Sequence, residues 1–208
     1  MIYDISPLIS EELAVFPGDV GFQRRISMDF NLGHHLSLSS VESTLHLGAH
    51  ADAPSHYHPD GKSIDQCALE TYFGRCQVID ISHLSGEITL EKIGSMELLT
   101  SRILFKTNSI QDVNLWQKDF SFLAPDLIHW LALKQVQLIG IDTPSMDHSE
   151  SKSLEGHQTF FKNKIAILEG LDLRHIQSGV YLLVALPLKL KKAEASPIRA
   201  ILIDQFNF

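Results

Sequence analysis

The sequence predicts a mixed α/β fold, built as one domain over residues 1–208. Three observations carry that expectation. Short aliphatic and β-branched runs bounded by turn residues recur along the whole chain, two segments between them carry apolar residues at helical spacing, and no shift in composition marks a linker. With 208 residues and 44% hydrophobic side chains, the chain is sized for one sizeable core.

Ile2-Tyr3-Asp4-Ile5 reads as an opening strand, and Leu36 to Leu47 alternates polar and apolar residues as a strand or hairpin arm does. A histidine-rich segment follows it and is expected on the loop beyond. The runs Gln77 to Ile81, Arg102 to Lys106, Gln137 to Ile141, Lys164 to Leu168, Val180 to Leu186 and Ile198 to Ile203 read as core strands. Helices are expected over Thr89 to Leu99 and Pro125 to Lys134, the second opening on a proline, which has no N–H to leave unpaired in a first turn. Gly140-Ile141-Asp142-Thr143-Pro144 closes a strand, but without a G-x-G-x-x-G it is no nucleotide signature.

Charge and composition remove several function classes. A net charge of −8 speaks against a nucleic-acid partner. No apolar stretch is long enough to span a bilayer, and no basic start precedes an apolar run, so a cytoplasmic protein without a membrane partner is expected. Cys67 and Cys76 form no C-x2-C pair and read as small hydrophobes, neither a disulfide framework nor a thiolate metal site.

The densest chemical signal is His46-Leu47-Gly48-Ala49-His50-Ala51-Asp52-Ala53-Pro54-Ser55-His56, an H-x3-H-x-D-x3-H array. Imidazole and carboxylate bind zinc, manganese or iron near neutral pH, and no helix or strand period requires these four residues where they stand. A site of histidine and carboxylate without thiolate suits catalysis, since it leaves room for a bound water. Four residues seldom complete such a site. Glu169 follows the apolar run Ile165 to Leu168 and precedes Gly170, so a carboxylate sits where a strand emerges, and His157 lies shortly before that strand.

At these positions the chain resembles the cyclase-like metal-dependent hydrolases, whose best-known members are the bacterial kynurenine formamidases. The array His46-x-Gly48-x-His50-x-Asp52-x-Pro54-x-His56 carries the resemblance. Val15-Phe16-Pro17-Gly18-Asp19, Gly61-x-Ser63-x-Asp65, Gly140 to Ser145, His157 and Glu169-Gly170-Leu171 follow in order along most of the chain.

The resemblance implies a swivelling β/β/α domain, with a central mixed sheet or small barrel flanked by helices. It implies two divalent metal ions, zinc or manganese: one on His46, His50 and Asp52, and a second on His157, with Asp52 and Glu169 bridging. His56 is then the general acid/base, and Phe16 lines the substrate pocket. The implied reaction is hydrolysis of a small aryl amide, in the formamidases N-formyl-L-kynurenine to L-kynurenine and formate during tryptophan breakdown, by a homodimer or homotetramer.

Two positions depart from the formamidase pattern. Phe16 stands where those enzymes typically carry Trp, and Ala49 where the motif usually has Thr, whose hydroxyl could orient a ligand. Relatives that open the ring amide of isatin supply a second reading. A more distant one is an iron oxygenase built on His50, Asp52 and His157, with Lys162 or Lys164 meeting 2-oxoglutarate. A non-catalytic metal-binding protein is a third. Of the remaining histidines only His58, two residues from His56, has a place near the pocket in an extended segment.

Overall fold

The computed structural model describes residues 1–204; positions 205–208 of the expected domain lie outside the described residues. Along the chain run β1 (Ile2–Asp4), β2 (Gln23–Met28), β3 (Leu38–Glu42), β4 (His50–Asp52), β5 (Phe73–Asp80), β6 (Glu87–Ile88), α1 (Leu90–Ile93), β7 (Arg102–Lys106) and β8 (Phe122–Leu123). Then follow α2 (Pro125–Leu133), β9 (Leu138–Ile141), α3 (Glu155–Asn163), β10 (Ala166–Glu169), β11 (Gly179–Val184), β12 (Ala195–Pro197) and β13 (Ile201–Ile203).

Successive residues of a strand point to opposite faces, and here both faces are apolar. In β7, Leu104 joins one core cluster while Ile103 and Phe105 join the other; in β10, Leu168 and Ile167 divide the same way. Continuous aliphatic runs are what a strand buried on both sides requires. Nine strands form the main sheet in the order β1-β13-β11-β5-β7-β9-β10-β4-β12, with β5, β7, β9 and β10 parallel and the other pairings antiparallel.

One face is covered by helices, through Leu127, Ile128 and Leu131 of α2 and Phe160 of α3. The other face curls around its own core. Ala51 of β4 and Leu202 of β13, from strands near opposite ends of the sheet, belong to one buried cluster. This mixed sheet, rolled on one side and helix-covered on the other, is the expected α/β architecture.

Two local expectations are corrected. The helix over Thr89 to Leu99 shrinks to α1, because Gly94 at φ 64° ends it; Met96 and Leu98 still pack against the core, from irregular backbone. The histidine segment is not simply a loop. His50, Ala51 and Asp52 form β4, held between β10 and β12. His157, expected shortly before β10, does precede it, and sits on α3.

A hairpin of β2 and β3, unforeseen in its first arm, stands apart from the main sheet. Nearly all residues of both arms are exposed, on both faces, including Ile26, Leu38 and Val41. Among the described residues no helix is long and apolar enough to cross a membrane.

Candidate metal centre

Alternation in β4 builds half of the centre. Ala49, Ala51 and Ala53 enter the apolar core, so His50 and Asp52 face the other way. Ala49 therefore lies in the core and not against a metal ligand, which corrects the expected consequence of losing a threonine there. The register with β10 sets Glu169 opposite His50, bringing together residues more than a hundred positions apart in sequence.

His46 precedes the strand, and α3 delivers His157 from the helical face of the sheet. The five residues predicted as ligands converge. Their donor atoms form two groups, His46 with His50 and Asp52, and Asp52 with His157 and Glu169.

Both carboxylates lie between imidazoles. Asp52 Oδ1 is 3.0 Å from His46 Nδ1 and 3.5 Å from His50 Nε2, while Oδ2 is 3.4 Å from His157 Nε2. Glu169 repeats the pattern, with Oε2 3.2 Å from His50 Nε2 and Oε1 3.4 Å from His157 Nε2. One oxygen of each faces one imidazole group and its second oxygen faces the other, as a bridging carboxylate requires.

The polar bookkeeping fits a cation. Both Asp52 oxygens and the Nε2 atoms of His46 and His50 are buried without a hydrogen-bond partner; the His50–Glu169 contact is close but not aligned as a hydrogen bond. A buried polar atom left in that state costs about 1–3 kcal/mol. A divalent ion offsets that cost for several atoms at once. Burial by itself would raise the Asp52 pKa, yet the His157 and His46 contacts outweigh it and hold the carboxyl well below its usual range.

Outer contacts fix two of the rings. His50 Nδ1 is 2.9 Å from the Gly48 carbonyl, and His157 Nδ1 is 2.6 Å from Asp147 Oδ2. Each contact places the proton on Nδ1 and leaves Nε2 as the free donor atom. Asp147 also accepts the backbone N–H groups of Gly156 and His157, at the start of α3. Glu169 Oε1 accepts from the Met146 N–H at 2.7 Å.

His56 ends a short 3-10 turn over Pro54–His56, and the Ser55 N–H to Lys62 carbonyl bond ties that turn to the following segment. Its ring centroid lies 4.2 Å from that of His46 and 6.1 Å from that of His157. Unlike the ligand candidates it is exposed at the rim of the centre, and it has no place in either ligand group. Partial desolvation, helped by His46 and His157, holds its pKa below the ordinary imidazole value despite the pull of Asp52 and Glu169.

A cleft of about 100 Å³ opens beside His46 and His50, with Phe16 in its wall. Phe16 packs edge-on against Trp116, ring centroids 4.6 Å apart. Trp116 and Asp147 escaped the sequence reading, because nothing in their local spacing marks them. His58 stacks on Phe161 at 3.7 Å and belongs to the α3 packing, not to the pocket. Lys162 and Lys164 are exposed to solvent, and Glu169 occupies the centre beside His50, Asp52 and His157, an arrangement unlike the three-ligand oxygenase pattern.

Comparison with known proteins places these residues in context. The family described as "Putative cyclase" matches residues 3–148, a range that holds the His46–His56 array. A kynurenine formamidase from Bordetella pertussis is 39% identical over 202 residues, 97% of each chain. A solved structure of a potential metal-dependent hydrolase with cyclase activity superposes at TM-score 0.87 with 28% identity, covering 100% of this chain and 99% of that one. Isatin hydrolase A from Labrenzia aggregata superposes at TM-score 0.80 with 20% identity, covering 99% and 94%, and shares the fold.

Proposed function

Since the chain belongs to the cyclase family, and aligns over 97% of its length with a kynurenine formamidase, we propose that it is a metal-dependent aryl amide hydrolase that converts N-formyl-L-kynurenine and water to L-kynurenine and formate. The observation that carries this reading is the pair of buried carboxylates, Asp52 and Glu169, each set between two imidazole groups beside an aromatic cleft.

In this proposal His46, His50 and Asp52 hold one ion, His157 holds a second, and Asp52 and Glu169 are shared. Zinc is the proposed metal, as imidazole and carboxylate suit it, with manganese the alternative. When bound, such a pair supplies a water of lowered pKa and a Lewis acid at the scissile carbonyl, and the two carboxylates offset its positive charge.

The chain's own residues bind, orient and move the proton. Phe16 and Trp116 receive the aryl ring, and the apolar cleft wall excludes bulk water from the amide. His56, neutral near pH 7 because its pKa is lowered, takes the proton of the attacking water on its ring nitrogen. It then returns that proton to the aniline nitrogen as the C–N bond breaks, so the free amine leaves with formic acid, which becomes formate by losing its proton to solvent.

The decisive experiment assays N-formyl-L-kynurenine, simple aryl formamides and isatin on one sample whose metal content is measured. Turnover of the formamides with about two ions per chain, abolished by a chelator, supports the reading. Turnover of isatin alone moves the assignment to ring-amide hydrolysis. Bound metal with no hydrolysis at all makes the protein a non-catalytic binder.

We propose further that the domain spans 1–208 and works as a homodimer or homotetramer in the cytoplasm. The β2–β3 hairpin supports assembly, since Ile26, Phe30, Leu32, Leu38 and Val41 are exposed along it and a second copy offers them cover. Light scattering on the purified protein checks the mass. Cys67 and Cys76 are free thiols, as a reducing compartment keeps them.

A further inference from the structure

The cleft beside His46 and His50 is apolar for most of its wall, yet one ion pair interrupts it. Arg174 is the single lysine or arginine among the described residues that line the cleft, and Asp172 lines it beside Arg174. The arginine Nε and Nη2 groups donate to Asp172 Oδ1 and Oδ2 at 2.9 and 2.7 Å, a bidentate fork. Those two bonds leave three of the five guanidinium N–H groups uncommitted.

The pair is held in place by the same strand that supplies Glu169. β10 ends at Glu169, and the segment that leaves it is pinned where the Asp172 N–H donates to the Ile5 carbonyl at 2.8 Å. The side chains are 40% and 20% exposed, and a pair that exposed adds little to stability. Asp142 and Gln117 also line the cleft, but the Asp142 oxygens already accept from Thr107 and Asn108, so on this mostly apolar wall the Asp172–Arg174 pair is the charged group left to meet a ligand.

Resting on the amide-hydrolase reading above, we propose that Asp172 and Arg174 form a subsite for a zwitterionic α-amino-acid head group on the aryl amide substrate. The guanidinium receives the α-carboxylate through its fork geometry, and the Asp172 carboxylate receives the α-ammonium. A pair of opposite charges matches a zwitterion, whereas a headless aryl amide gains nothing from it and a simple anion meets the Asp172 charge. The metal centre then selects the bond to be cut, and this pair selects which aryl amides reach it.

The test compares two substrates with the same aryl formamide and ketone, N-formyl-L-kynurenine and 2-formamidoacetophenone, which lacks the amino acid. Steady-state kinetics are run on metal-loaded wild type, Arg174→Met, Arg174→Lys and Asp172→Asn, with melting and metal content checked for each. Arg174→Met is expected to lower the ratio of the two kcat/KM values by roughly 10- to 100-fold, mainly through KM, with partial recovery in Arg174→Lys. Asp172→Asn is expected to lower it by about 10-fold.

An unchanged ratio in these variants overturns the subsite and leaves the hydrolase reading standing. Failure of wild type to cleave either formamide overturns that reading and the subsite with it. Should Arg174→Met not fold, inhibition of wild type decides. L-kynurenine is expected to inhibit at least about 10-fold more tightly than 2-aminoacetophenone, and equal inhibition overturns the proposal.

Discussion

Asp147 holds His157 from two sides at once: its Oδ2 lies 2.6 Å from the ring Nδ1, while its two oxygens accept the backbone N–H groups of Gly156 and His157 at 2.7 and 2.9 Å. One carboxylate thus satisfies the first orphan donors of α3 and sets which ring nitrogen faces Asp52 and Glu169. Asp147→Asn keeps the size but weakens the acceptor, and is expected to lower metal affinity by about 10- to 100-fold. Asp147→Ala also removes the cap, at a further cost of about 0.5–2 kcal/mol of stability. Competition with a chromogenic chelator reads the first effect and urea unfolding the second; full metal affinity in both variants would show that His157 needs no such support.

His56→Ala separates proton transfer from metal binding. The ring sits at the rim beside His46 and outside both ligand groups. Activity is expected to fall about 100- to 10,000-fold with metal content unchanged. Parallel loss of metal and activity would instead make His56 a ligand.

Gly170 joins the two halves of the centre. Its φ is 64°, and a Cβ there would stand 2.2 Å from the Gly48 carbonyl oxygen, the residue whose carbonyl also orients His50. Gly170→Ala therefore combines left-handed strain of about 1–2 kcal/mol with a backbone clash that has no flexible side chain to relieve it. A loss exceeding about 2 kcal/mol in denaturant unfolding is expected, together with weakened metal binding. A variant of wild-type stability would show that Gly48 moves freely.

The reach of sequence reasoning follows from what each residue depends on. His46, His50 and Asp52 are close in the chain and stand out by type and spacing, whereas Glu169, a single carboxylate at a strand end, joins them only through the family resemblance. Asp147 stands ten residues before His157 and meets it only because α3 brings the ring back onto it. Trp116 reaches Phe16 across a hundred positions of chain, through packing that no local period encodes. The strands β7 and β10 are legible as aliphatic runs buried on both faces, whereas β2, with every residue from Gln23 to Ser27 exposed, carries no apolar pattern to read.

Metal loading is linked to pH with a definite sign. Burial would lower the His50 pKa, but Glu169 and Asp52 outweigh it and push it up to about 9, and Asp147, Asp52 and Glu169 raise His157 in the same sense. Ion binding needs neutral imidazole, so it releases protons, and apparent affinity is expected to climb as pH rises between about 6.5 and 9. In chelated protein the raised pKa contributes stability below the unfolded value near 6.5, which is lost as pH rises through the folded one. Chelation should therefore lower Tm more at the alkaline end of that window than at the acidic end. An equal drop at both ends would show that these imidazoles stay neutral in the metal-free protein.

Phe16 and Trp116 test whether two rings act together on an aryl substrate. Their centroids are 4.6 Å apart at 61°, the edge-to-face arrangement in which a pair contributes about 0.5–1.5 kcal/mol beyond the area it buries. Removing either ring takes away its contact with an aryl substrate and leaves its neighbour without support. Phe16→Ala and Trp116→Ala are each expected to lower kcat/KM for aryl formamides by about 10-fold without altering metal content. The double variant should lose less than the product of the two, because the first truncation already removes the coupling. Losses that multiply in full would mean that the rings bind substrate independently, and Phe16 would then receive no help from Trp116 in holding the aryl ring.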